Sequence, residues 1–211
     1  MKGIVAIDGP AGSGKSTAAR GLAERLGYIH LDSGALYRCV AYAVIGHEIQ
    51  LDEHKRIGEM AARLRIEFLR DGSGKPQVFL NGLDRTVEIR EETVTRTVPM
   101  VAQIREVRAL VDEQLRGYAH EGGVVCDGRD IGTNVFPSAQ AKFYLDADLE
   151  ERARRCKQSE YALLERDRQD RERAHSPLKP AKDAIKVDTT KLSAVDTLNI
   201  LYDKTLPLLS R

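Results

Sequence analysis

The stretch GIVAIDGPAGSGKST, residues 3–17, decides the fold. Its first six residues (3–8) form a continuous apolar run ending in Asp8, the pattern of a strand buried on both faces of a parallel sheet. A glycine-rich loop follows and closes on Lys15, Ser16 and Thr17, and a helix is expected from Lys15 to Leu26. The loop fits G-x-x-x-x-G-K-[ST], with the preceding strand and following helix that give this pattern its meaning. Glycines let the backbone turn tightly and aim successive N–H groups into one concavity, and the helix starting there adds the positive end of its dipole. Gly9, Pro10, Ala11, Gly12, Ser13, Gly14, Lys15, Ser16 and Thr17 therefore read as a cradle for the polyphosphate of a nucleoside triphosphate such as ATP. Lys15 would reach the β- and γ-phosphates as a point charge, and Ser16 would offer its hydroxyl to Mg2+.

Outward from this unit, strands alternate with helices. YIHL (28–31) reads as a second strand, followed by a helix over 33–45. GVVCD (123–127), KFYLDA (142–147) and AIKVD (184–188) supply three more strands. Strands separated by helices imply a parallel sheet with right-handed crossovers, an α/β fold. One segment breaks the alternation. Residues 65–89 hold two or three short strands joined by DGSGKP and NG, both hairpin signals, so a small antiparallel insert is expected. Ile104, Val107, Val111, Leu115 and Tyr118 recur at helical spacing in 101–119 and read as core packing. The C-terminal helix should begin at SAVD, with Ser193 and Asp196 as a capping pair. The charge-dense run 150–173 reads by composition as a solvated helical face.

Composition excludes several classes. The chain has 211 residues, 42% of them hydrophobic, enough for one packed domain. Lys plus Arg is 33 against 32 Asp plus Glu, a balance that argues against a nucleic-acid binder. No apolar run approaches the roughly 20 residues of a membrane span, and the N-terminus enters a strand without the apolar region of a secretory signal. Cys39, Cys126 and Cys156 stand far apart with no Cys-x-x-Cys, which speaks against zinc and fits a reducing cytoplasm. Nothing demands more than a monomer.

The second substrate is suggested by three further segments. In LDSGALYR (31–38), Ser33 and Tyr37 share a helix face with Arg38 alongside, a set suited to a phosphate-bearing acceptor. In VVCDGRDIGT (124–133), Asp127 closes an apolar strand at the carboxyl edge of the sheet, where ligands of open α/β folds bind. Asp127 would orient magnesium through water, Arg129 would clamp the acceptor phosphate, and Asp130 would accept from an exocyclic amino group. In RDRQDRER (166–173), Arg166, Asp170 and Arg173 lie at spacings of four and three on one helix face, as in a lid that brings arginines onto phosphates. No guanine-reading Asn-Lys-x-Asp is present.

Together these segments resemble the bacterial-type cytidylate (CMP) kinase family of nucleoside monophosphate kinases. The matching runs are IDGPAGSGKST, LDSGALYR, EIR (88–90), VR (107–108), DGRDIGTNVFP and RDRQDRERAHSPL, nearly end to end. The resemblance implies one P-loop kinase domain over 1–211: a five-stranded parallel core (1–63, 100–155, 182–211), a monophosphate-binding insert (64–99) and a helical lid (156–181). It implies phosphoryl transfer from ATP to CMP or dCMP. Carried across by motif, Ser33, Arg108 and Asp130 would face cytosine, and Arg38 and Arg129 would hold the acceptor phosphate with Tyr37 nearby. Arg166 and Asp170 would approach the sugar and Arg173 the phosphates, with Lys15, Arg129 and Arg173 as the catalytic cations and Ser16 and Asp127 at the metal. Two departures stand out. Pro99 occupies the place of a family serine that touches the sugar, and the stretch from Arg155 to Arg166 is short.

A phosphate monoester has its second pKa near 6, so its oxygen is already anionic at neutral pH and needs no general base. The task is electrostatic, and an arginine-rich site fits it. Two other readings stay open from the residues alone: a P-loop kinase for another small acceptor, and a nucleotide-binding switch with no acceptor turnover.

Overall fold

The computed structural model describes residues 2–72 and 76–210. The chain divides into two compact units, Met1–Asp32 with Leu115–Arg211, and Ser33–Gln114. The first opens with β1 (Ile4–Asp8), α1 (Lys15–Leu26) and β2 (Ile29–Asp32). The second holds α2 (Ser33–Gly46), α3 (His54–Ala61), β3 (Ile66–Arg70), β4 (Pro76–Leu80), β5 (Leu83–Asp84) and α4 (Glu92–Val101). Helix α5 (Arg105–Tyr118) leads back to the first unit, which continues with β6 (Val124–Gly128), β7 (Ala141–Asp146), α6 (Leu149–Cys156), α7 (Glu160–Arg171), β8 (Ile185–Asp188) and α8 (Ala194–Leu209).

The first unit is built on a five-stranded sheet ordered β2-β6-β1-β7-β8, all pairs parallel. The three inner strands are buried almost throughout, and α1 and α8 pack together against one face of the sheet. Val5, Ile7, Val125, Phe143 and Leu145 are sealed there with Leu22 of α1 and Leu201 of α8. Each of the five strand segments carries an aspartate at or next to its carboxyl end: Asp8, Asp32, Asp127, Asp146 and Asp188. Several accept hydrogen bonds from the backbone that follows a strand. Asp8 accepts from the N–H groups of Ile131 and Gly132 at 2.7 and 2.8 Å. Asp146 accepts from Ala147 N–H, and Asp188 from Thr190 N–H and hydroxyl. The expected capping pair is present, with Ser193 and Asp196 forming a reciprocal capping box at the start of α8.

The second unit carries the antiparallel sheet β3-β4-β5. Strands β4 and β5 are joined by Asn81 and Gly82, both at positive φ (52° and 79°), the two-residue turn that Asn-Gly predicts. The turn read in DGSGKP falls largely on residues 73–75, outside the described residues. Helices α3 and α4 were not expected. The single helix read over 101–119 begins only at Arg105, and a separate α4 precedes it with Val94, Val98 and Val101 buried at helical spacing. Pro99 sits inside α4, which is why the segment does not read as a helix.

Candidate active site

The cradle takes the conformation its glycines allow. Gly12 and Gly14 lie at φ 78° and 80°, and α1 begins at Lys15 with Gly14 as its cap and no side chain on the cap. Gly12 is also irreplaceable for space, because a Cβ there would sit 2.7 Å from the carbonyl oxygen of Arg152 on α6. Lys15 is almost fully buried, and its ammonium donates to the Pro10 carbonyl at 3.1 Å. Burial, joined by the charge of Arg129, lowers its pKa to about 7. A cation held at such a cost is primed for an anion.

Next to Lys15, the Ser16 hydroxyl donates to Asp127 Oδ2 at 2.5 Å, and His30 Nε2 lies 2.7 Å from Asp127 Oδ1. Burial pushes the Asp127 carboxyl up, but the hydrogen bonds and charges of His30, Lys15 and Ser16 outweigh it and hold the group below the usual carboxylate range. An ionised carboxylate only accepts, so the facing His30 nitrogen carries the proton. His30 in turn is pulled down by burial and lifted above its ordinary value by Asp127. Asp127 at the end of β6 and Ser16 at the start of α1 thus meet, as the sequence suggested, and His30 joins them from β2.

The other cluster in this unit links the loop after β6 to α7. Arg129 Nε donates to Asp170 Oδ2 at 2.7 Å, and Arg173 donates to Asp170 Oδ1. Burial alone would raise the Asp170 carboxyl, yet Arg129, Arg173 and Arg166 lower it. Of the face expected in RDRQDRER, Asp170 is buried, in a stripe with Leu163 and Asp167, whereas Arg166 is half-buried. Arg173 lies just beyond the last turn of α7, and Arg168 follows the solvated-face reading, pairing with Glu165 and Glu172. Asp130 is buried and accepts from the Asn134 amide at 3.3 Å.

Several contributors escaped sequence reasoning. Asp8 tethers the loop that carries Arg129 and Asp130. Arg152 donates to the carbonyls of Ala11 and Ala147 and meets Asp167 at 2.7 Å, a contact that is ionic rather than a directed hydrogen bond. Arg155 is fixed by Glu151 at 2.7 Å and by the Thr189 hydroxyl and carbonyl at 3.0 and 2.7 Å. Its guanidinium lines a cavity of about 510 Å³ beside the cradle, together with Gly12, Thr17, Thr189 and Leu192. The only signal was the density of arginines in 152–155, which also fits a solvated face.

In the second unit, Ser33, Tyr37 and Arg108 are buried. The Arg108 guanidinium donates to the Ala102 carbonyl at 3.1 Å and stands 5.6 Å from the centre of the Tyr37 ring. Arg38 is half-buried and donates to the Thr95 hydroxyl at 2.6 Å and, more weakly, to the Ile89 carbonyl at 3.4 Å. The EIR segment thus contacts Arg38 through the backbone of Ile89. No cluster of three or more His, Cys, Asp or Glu suited to a metal is found among the described residues, and among them no helix is long and apolar enough to cross a membrane.

A family model described as cytidylate kinase matches residues 5–205. The chain belongs to the cytidylate kinase family. A cytidylate kinase from Bacillus cytotoxicus is 42% identical to it, over 90% of this chain and 89% of the relative. Another from Geobacter sp. strain M21 is 43% identical, over 94% of this chain and 90% of the relative. A crystal structure of a Thermus thermophilus protein covers 99% of this chain and 98% of its own, at 24% identity and a TM-score of 0.51, a likeness of fold. Membership of the cytidylate kinase family agrees with the resemblance drawn from the motifs, and the five-stranded parallel sheet with its antiparallel insert is the fold those motifs implied.

Proposed function

We propose that the chain is a cytidylate kinase that transfers the γ-phosphoryl group of ATP to CMP or dCMP, giving ADP with CDP or dCDP. The observation that carries this reading is the gathering of Lys15, Ser16 and Asp127 at the carboxyl edge of the parallel sheet, in a chain of this family. The polyphosphate of ATP lies in the cradle of residues 9–17, and the cavity lined by Arg155 takes its base. Ser33, Arg108 and Asp130 read cytosine, and Arg38 and Arg129 hold the acceptor phosphate. Arg166, Asp170 and Arg173 belong to the lid, residues 156–181.

Ser16 and Asp127 present oxygen atoms 2.5 Å apart, with the carboxyl held ionised, a donor set that suits a hard cation. These two residues would hold Mg2+, which when bound supplies positive charge against the β- and γ-phosphate oxygens. The protein's own part is to orient and to neutralise. Lys15 gives up its poor contact with a backbone carbonyl for phosphate. Arg129 and Arg173, ordered on Asp170, need little reorganisation to meet further anions. The acceptor phosphate is already anionic at neutral pH, so no residue is assigned to take a proton. The same reading takes the enzyme as a cytoplasmic monomer that binds neither nucleic acid nor membrane, in keeping with its net charge of +1.

Asp130 sets the base preference. Cytosine offers an amino donor to a carboxylate, whereas uracil sets a carbonyl against it, at a cost of about 1–3 kcal/mol or roughly tenfold to a hundredfold. ADP release from MgATP with CMP, dCMP, UMP, AMP, GMP and shikimate tests both points. Turnover confined to cytosine monophosphates is expected. Comparable kcat/KM for UMP and CMP defeats the role given to Asp130, and the absence of turnover with every acceptor defeats the kinase reading.

A further inference from the structure

We infer that Thr95 is a positioning residue for the acceptor phosphate, acting through Arg38; this rests on the reading of Arg38 as a ligand of that phosphate. The Arg38 guanidinium, carried by α2, donates to the Thr95 hydroxyl on α4 at 2.6 Å. That hydroxyl lies 3.5 Å from the Arg90 carbonyl, two residues before α4 begins. A hydroxyl has one proton and two lone pairs, so it gives the proton to Arg90 and turns a lone pair to Arg38. The direction of the pair matches what a cation requires. Ile89 adds a weaker acceptor at 3.4 Å on the same guanidinium nitrogen, so of these two the short bond to Thr95 constrains the orientation more.

An arginine carries up to about 2 kcal/mol of side-chain entropy, and ordering it before the ligand arrives removes that cost from binding. Thr95 performs this ordering from a turn of α4 that the sequence makes unusual. Pro99 stands four residues on, inside the helix, and has no N–H to give the Thr95 carbonyl. The usual rung of the helix ladder is missing at that step, and the side-chain bonds of Thr95 to Arg38 and Arg90 tie the same turn to its surroundings. Arg38 is 57 residues from Thr95, and Thr95 lies in none of the matching runs, so the role was invisible in the sequence.

The test is steady-state kinetics and calorimetry on Thr95→Val, Thr95→Ser and Arg38→Ala. Thr95→Val keeps the shape and removes the hydroxyl; it should raise KM for CMP roughly tenfold, the usual worth of a hydrogen bond to a charged group, with kcat changed less than about threefold and KM for ATP unmoved. Thr95→Ser restores the hydroxyl and should restore KM. Cytidine, which lacks the phosphate, should bind Thr95→Val as it binds the parent chain. A wild-type KM for CMP in Thr95→Val, beside a raised one in Arg38→Ala, overturns the inference and leaves the site reading standing. Equal weakening of cytidine and CMP overturns it too, since a loosened fold rather than an unset arginine would be responsible. A wild-type KM in Arg38→Ala overturns the reading of Arg38 and this inference with it.

Discussion

Replacing Asp8 by Asn removes a titrating group from the end of β1 while keeping one oxygen to accept from Ile131 or Gly132. Asp8 is 3% exposed, and burial lifts its pKa from 3.8 to about 7, against the pull of the Gly132 and Ile131 N–H groups. The folded chain therefore keeps a proton that the unfolded chain sheds. For an acid raised on folding, the contribution to stability is fully present below the unfolded value of 3.8 and is lost as pH rises through about 7. A carboxyl displaced that far is worth ~4 kcal/mol over the whole span, of which roughly 3 kcal/mol falls between about pH 5 and pH 8. Urea unfolding of both chains across that window reads the effect directly. The parent should lose stability relative to Asp8→Asn as pH rises, with the m-value unchanged, while any constant offset between the curves reports only the altered hydrogen bond. Parallel curves would refute the argument, because they would mean that Asp8 is ionised in the folded chain at all these pH values. The functional consequence is local: the same carboxyl holds the backbone of the loop bearing Arg129 and Asp130.

Two other substitutions probe the cradle. Lys15→Ala should cut turnover by orders of magnitude while leaving circular dichroism and the unfolding midpoint close to the parent, since the lysine is buried at a cost to its charge; an active variant would contradict the cradle. His30→Leu takes the donor from an Asp127 oxygen in a side chain only 2% exposed, so stability should fall by about 1–3 kcal/mol and the midpoint by several degrees, with His30→Gln losing less. An unchanged midpoint in His30→Leu would show that Asp127 does not depend on that bond.

Much of the framework was legible because it is written in short-range patterns. The helix from Lys15 to Leu26 and the start of α8 at its capping box were readable within a few residues of their own sequence. So was the Asn81-Gly82 turn. Where reading failed, a local rule met a tertiary override. Pro99 argues against a helix, yet α4 forms because Val94, Val98 and Val101 bury one face of it. Arg168 and Asp170 stand two residues apart in a uniformly charged run, and nothing local tells the exposed member from the buried one.

What the sequence by itself determined was the chemistry of the cradle and the alternation of strand and helix, since both depend on residues within one turn or one strand of each other. What only the tertiary structure decided was which charges are spent and on whom. His30 and Asp127 are 97 residues apart, Asp8 and Ile131 are 123 apart, and Arg38 and Thr95 are 57 apart. Pairs at such separations are made by sheet order and helix packing, which bring the strand ends together and exclude water. In that dry environment an unmatched charge is costly, and each buried carboxylate and arginine is held by the partner that the fold supplies.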